Sequence, residues 1–153
     1  MGLFNFFSKD PQVKIDRLVK KMLNEHQQQP IRQEALEELV AIDTPASILA
    51  LIKRLGVNFR DTIKNEQEKR WVTGALVDHF GQRAVEPLQQ FIKSNQTISG
   101  AIIAISQLIS EEQLVGLLIE VLESYAPSDH RTIEARGQIL DAFSDHEDPR
   151  IVP

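Results

Sequence analysis

The chain reads as all-α, an α-solenoid of stacked helical hairpins with about eight or nine helices. Three observations lead there. Apolar residues recur at helical spacing along almost the whole length, as in Ile31, Ala35, Leu39 and Ile42. Breakers and capping residues punctuate these stripes at short intervals, so the helices are short and paired. One pair also matches another at a constant offset. Ala35, Leu39, Ile42, Ile48 and Leu51 correspond to Ala101, Ile105, Leu108, Leu114 and Leu117, each 66 positions on (101 minus 35), or two repeats of about 33.

Taken in order, the first helix lies within residues 1–29. Ser8 or Asp10 can cap it, and Pro11 suits its first turn, where a missing N–H costs nothing. Ile15, Leu18, Val19, Met22 and Leu23 make its core stripe, and Lys14, Arg17, Lys20 and Lys21 its outer face. This helix is expected to cap the stack. Ahead of it stands the apolar cluster Leu3, Phe4, Phe6 and Phe7.

Residues 31–56 form the first pair. Asp43 is expected to cap the second helix, Pro45 to open it, and Ile48, Leu51, Ile52 and Leu55 to face inward. Gly56 is placed to end it in a left-handed conformation. Residues 65–94 form the second pair. Asn65-x-x-Glu68 resembles a capping box, Val72, Ala75, Leu76 and Phe80 make the stripe, and Gly81 makes the break. The partner helix turns Val85, Leu88, Phe91 and Ile92 inward.

Residues 97–124 are the most apolar pair, with Ser110-x-x-Gln113 as a capping box between the helices. Residues 129–153 hold the last pair. Asp129 caps a helix that turns Ile133, Leu140 and Phe143 inward. Asp148-Pro149 then reads as the start of a second helix that Pro153 cuts short, which favours a fragment of a longer array.

The totals bound what such a chain can do. Its 153 residues are one domain's worth, large enough to bury a core without staples. No cysteine is present, which removes disulfides and thiolate chemistry and fits a reducing cytoplasm, the expected location. No apolar run approaches the length of a membrane span, roughly 18 residues. The N-terminus lacks the basic start of a signal peptide, and Phe6 stands where a myristoylation motif wants Ser or Thr. Charge is uneven. Up to Ser110 there are 14 basic against 12 acidic residues, and from Glu111 onward 3 against 10. The acidic end opposes phosphate backbones, so nucleic acid is not expected as a partner. It serves solubility, or else offers a docking surface to a basic partner.

The run Ile31-Arg-x-x-Ala35-Leu-x-x-Leu39-x-x-Ile42 resembles the first helix of a bacterial HEAT repeat. Gly81-x-x-Ala-Val85-x-Pro-Leu88 and Asp148-Pro-Arg-Ile-Val-Pro153 resemble the turn and second helix of the same repeat. The resemblance covers about residues 31–153 of the single domain. It implies a right-handed solenoid acting as a non-enzymatic scaffold for a protein partner, with no cofactor. In related solenoids the second helices line the concave side. Carried over, this puts Lys53, Arg54, Gln89, Gln90 and Lys93 on the binding face, continuing into Glu120 and Glu123.

Some similar proteins are catalytic. HEAT-type deoxyhypusine hydroxylases hold two irons with repeated His-Glu pairs, whereas this chain has one such dipeptide, His146-Glu147. His26, His79 and His130 are isolated, without metal-ligand spacing. Trp71, near Lys69, Arg70 and Asp78, is the nearest approach to a HEAT-like DNA glycosylase cleft, but a lone Trp there serves packing. Bilin lyases share the general pattern without an identifiable chromophore residue here. The alternatives are therefore a HEAT-type enzyme subunit, or an adaptor that touches membrane through Leu3 to Phe7. Interaction module is the leading expectation.

Overall fold

The computed structural model describes residues 10–146 and 148–151. Among these the chain is helical throughout, with no strand. The helices are α1 Pro11–Met22, α2 Gln29–Ile42, α3 Pro45–Leu55, α4 Thr62–Gly74, α5 Val85–Ser94, α6 Ser99–Ser106, α7 Glu111–Ser124 and α8 Ile133–Phe143. None is long and apolar enough to cross a membrane. The Leu3 to Phe7 cluster lies outside the described residues.

Local chemistry sets most of the boundaries. Asp10 caps α1, its side chain accepting from the Gln12 amide at 2.9 Å, and Pro11 follows at once. Ile15, Leu18 and Met22 are buried, with Val19 and Leu23 packed against the core. The turn between α2 and α3 differs from expectation. Asp43 does not cap α3; it ends α2 in the left-handed region (φ 55°), a conformation that aspartate tolerates better than most residues. Thr44 is the cap of α3, in a reciprocal box with Ser47. At the other end of α3, Gly56 is not left-handed (φ −90°). Its missing side chain serves packing instead, because a Cβ there would stand 2.7 Å from the Phe91 ring.

The Asn65–Glu68 capping box is also corrected. Asp61 caps α4 by accepting from the Lys64 amide at 3.0 Å, while Asn65 and Glu68 sit one and two turns inside and are buried. α4 runs on through a π-helical segment, Ala75–Phe80, to Gly81 at φ 59°. A short 3-10 turn, Gly81–Ala84, leads into α5. Ser110 and Gln113 form the expected box at the start of α7. α8 is rotated from its expected register: Ala135, Ile139 and Phe143 are buried, whereas Ile133 and Leu140 are each 58% exposed. Beyond it Pro149 to Ile151 form a turn, with Asp148 accepting from the Arg150 amide.

The helices pack in two rows. α1 touches α3, α3 touches α5 and α5 touches α7 along one row; α4 touches α6 and α6 touches α8 along the other. One continuous core of Leu, Ile, Val and Ala runs between them. Side chains also link successive interhelical turns along one edge. Arg83 Nη2 donates to Asp43 Oδ1 at 2.8 Å, and His79 Nε2 lies 3.2 Å from the same oxygen. Gln82 donates to the Leu108 carbonyl at 2.8 Å, and His146 Nδ1 lies 2.9 Å from Glu111 Oε1. Each pair ties one turn to a turn 26 to 40 residues away.

Several positions 66 residues apart share burial and capping. Ala35 and Ala101 are fully buried, as are Leu39 and Ile105, and Ile48 and Leu114 are alike at 2% exposure. Thr44 and Ser110, also 66 apart, are both N-caps, and Ser47 and Gln113 close both boxes.

Candidate functional site

The helices α3, α5 and α7 present their outward positions along one face, where two clefts open. The first, about 360 Å³, lies between α1, α3 and α5. Its floor is apolar, from Ile15, Val19, Ala50 and Phe91, and its rim carries Lys53 and Gln90. Leu49, half exposed, projects into it. The second, about 410 Å³, lies between α5 and α7, with Gln89 and Lys93 on one wall and Glu120 on the other. Lys93 Nζ stands 3.3 Å from Glu120 Oε1, so the basic and acidic stretches of this face meet there. The pair is exposed and contributes little to stability.

Four of the five expected face residues are therefore on this surface. Lys53 and Gln90 share the first cleft; Gln89 and Lys93 share the second. Arg54 is the exception and is a correction. It is fully buried, because its position on α3 is three residues after Leu51, within the apolar stripe.

Arg54 is instead the centre of a buried polar cluster. Its Nε donates to Glu68 Oε1 at 2.7 Å, its Nη2 to Asn65 Oδ1 at 2.9 Å, and its Nη1 to the Val57 carbonyl at 2.7 Å. Arg32 of α2 donates from Nε to the second oxygen, Glu68 Oε2, at 3.1 Å, and from Nη1 to the Gln27 carbonyl. Phe59 closes the cluster, with the Arg54 guanidinium 3.9 Å and the Arg32 guanidinium 5.1 Å from its ring centre. Cations over an aromatic face are attracted by the ring quadrupole. Lys69 stands alongside, bonded to Asn58. Burial holds its ammonium below the ordinary lysine value, the nearby Arg54 charge adds to this, and Glu66 opposes it.

A buried carboxylate shared by two guanidiniums, each with further hydrogen bonds, satisfies the geometry a desolvated ion network needs. Its location makes it a structural joint between α2, α3 and α4. The cluster was not anticipated, although a signal exists. Arg32 is four before Leu36, Glu68 four before Val72, and Arg54 three after Leu51. Each is in phase with a buried stripe.

The histidines lie at or near the ends of helices. His79 and His146 take part in the turn-to-turn links, His26 lies 3.8 Å from Glu25, and His130 is exposed. Among the described residues no group of three or more histidine, aspartate or glutamate side chains is placed to hold a metal ion. Trp71 is half buried and packs against the core, in keeping with a packing role.

Comparison with protein-family models, with curated proteins and with solved structures finds no match to this chain.

Proposed function

We propose that the chain is a non-enzymatic protein-interaction module, a right-handed solenoid of HEAT-like helical pairs that receives a protein partner along α3, α5 and α7. The observation that carries this reading is the equivalence of residues 35–51 and 101–117. Caps and fully buried positions coincide at one offset, as tandem stacking requires and as a single fold with unique helices does not. The alternation of two helix rows supports it, because a repeat array buries its stripes against neighbours and leaves one helix row free to form an extended surface. Solenoids use such surfaces for partners, so Lys53, Gln89, Gln90 and Lys93 are the residues assigned to contact. A cytoplasmic location accompanies the reading.

The test is quantitative affinity capture from cell extract with the wild-type chain and with a double variant, Lys53→Glu and Lys93→Glu, each analysed by mass spectrometry. Both positions are exposed, so the melting temperature stays unchanged. A defined set of proteins captured by the wild type and lost with the double variant supports the reading. Identical capture profiles would remove this face from it.

A further inference from the structure

The connections between α1 and α2 and between α3 and α4 enclose a polar pocket of about 290 Å³, in which neither end of the chain takes part. Its walls carry three cations, Arg32, Arg60 and Lys64, and two carboxylates, Glu25 and Asp61. The rim is balanced. Glu25 Oε1 lies 3.7 Å from Arg60 Nε, Glu25 Oε2 accepts from the Arg60 amide at 3.2 Å, and His26 stands beside the same carboxylate. Asp61 Oδ2 lies 3.8 Å from Lys64 Nζ, and Asp61 Oδ1 accepts from the Lys64 amide at 3.0 Å. These long ion pairs are weak, so another anion can take the cations from them at little cost.

The floor is not balanced. Arg32 and Arg54 share the single carboxylate of Glu68, which leaves one positive charge in excess. Lys69 stands beside them and is opposed by Glu66. Excess charge away from water is costly unless an anion reaches it. Arg32 is 4% exposed and lines the pocket. Its Nε is spent on Glu68 and its Nη1 on the Gln27 carbonyl, but its Nη2 has no partner among the described residues. Nor is Nη2 sealed in, because the buried side-chain polar atoms without a partner there are Tyr125 Oη and Arg136 Nε. It opens on the pocket. The start of α2 adds backbone donors. No side chain caps this helix, and the amides of Gln28 and Gln29, which also line the pocket, make no hydrogen bond among the described residues. The N-terminus of a helix is partially positive, and its free amides favour an oxyanion.

We propose that this pocket binds a phosphate group, either free or as a monoester. The dianion sits between Arg32 Nη2 and the amides of Gln28 and Gln29. Arg60 and Lys64 turn from Glu25 and Asp61 to close over it. A guanidinium and several N–H donors suit a group with three or four acceptor oxygens, and a carboxylate would satisfy fewer of them. The bound anion offsets the excess charge beneath Arg32. None of the lining residues lies on α3, α5 or α7, so the inference stands apart from the proposed partner face.

The test is proton–nitrogen NMR of the full chain at neutral pH, titrated separately with inorganic phosphate and with a short phosphoserine peptide. Ionic strength is held constant with sodium chloride, which alone is the control. Saturable shifts of the Gln28 and Gln29 amides and of the Arg32 side-chain Nε signal are expected with either ligand. Tighter binding of the peptide assigns the group to a phosphorylated chain, and equal or weaker binding assigns it to free phosphate. The double variant Arg60→Ala with Lys64→Ala is expected to weaken binding by about 10-fold or more, as loss of charge-assisted hydrogen bonds does. Lys53→Glu leaves it unchanged. Arg60 and Lys64 are exposed, so circular dichroism confirms that the double variant folds. Shifts reproduced by sodium chloride alone, the absence of shifts at Gln28 and Gln29, or undiminished binding by the double variant would overturn the proposal.

Discussion

Glu68 on α4 and Arg54 on α3 form an ion pair at 2.7 Å with almost no access to solvent. Because Arg32 uses the other carboxylate oxygen, one anion bridges two buried cations and joins three helices. Removing a single partner from such a network leaves charge uncompensated in a low-dielectric interior, which costs about 3–5 kcal/mol. Glu68→Ala should therefore lose about that much stability in urea unfolding. Replacing the three charged residues together, Arg32→Met, Arg54→Met and Glu68→Leu, should recover most of it, because well-packed apolar side chains substitute for buried ion pairs at little net cost. If Glu68→Ala were nearly neutral, the joint would not be holding α2, α3 and α4 together.

The two capping boxes make a paired prediction. Thr44→Ala and Ser110→Ala each remove a side chain that accepts from the third amide of its helix, at 3.2 Å in both cases. Each should cost about 1 kcal/mol. Similar losses at the two sites, in equilibrium denaturation, are what equivalent positions of a repeat require.

Two glycines should respond in opposite directions. Gly81 has φ 59° and ψ −130°, a positive-φ conformation that side chains rarely adopt, so Gly81→Ala should cost about 1–3 kcal/mol even though nothing crowds the added Cβ. Gly74, at the end of α4, has helical backbone angles and open space around its Cβ direction. Gly74→Ala should gain about 0.5–1 kcal/mol from reduced unfolded-state entropy. Melting curves of the two variants on either side of wild type are the check.

The Asp148–Arg150 pair sets a local pH response. Hydrogen bonds from the Arg150 side chain and amide hold the Asp148 carboxyl down to about 2, below its ordinary 3.8. A folded value lower than the unfolded one favours the native turn above the unfolded value. That contribution is complete above about pH 4 and is lost as pH falls toward 2. NMR titration of Asp148 should show the depressed midpoint, and Arg150→Ala should return it toward 3.8.

The helical pairs, their approximate ends and the 66-residue correspondence were legible in the chain because they rest on local rules. A stripe at 3.6 spacing, a Pro in a first turn and a Ser-x-x-Gln box act within a few residues of themselves. Errors fell where two local readings competed. Asp43 and Thr44 both qualify as the cap of α3, and the reciprocal bond with Ser47 selects Thr44. On α8 both Ile133–Leu140 and Ala135–Ile139–Phe143 have helical spacing, and the rotation is chosen by packing against α6 and α7, which no local pattern records.

The same division holds for the candidate surfaces. Lys53, Gln89, Gln90 and Lys93 were identifiable as outward positions because each lies off its helix's apolar stripe. Arg54 was not, since a long cationic side chain goes inside only when a carboxylate waits there. That carboxylate, Glu68, is 14 residues further along and on another helix. Composition, periodicity and capping thus determine an all-helical chain with paired helices and an acidic C-terminal half. The joint around Glu68 and the apolar strip on α8 arise from side chains that meet or fail to meet between helices. Such encounters depend on how helices dock, a non-local property, and so they became visible only once the helices were packed.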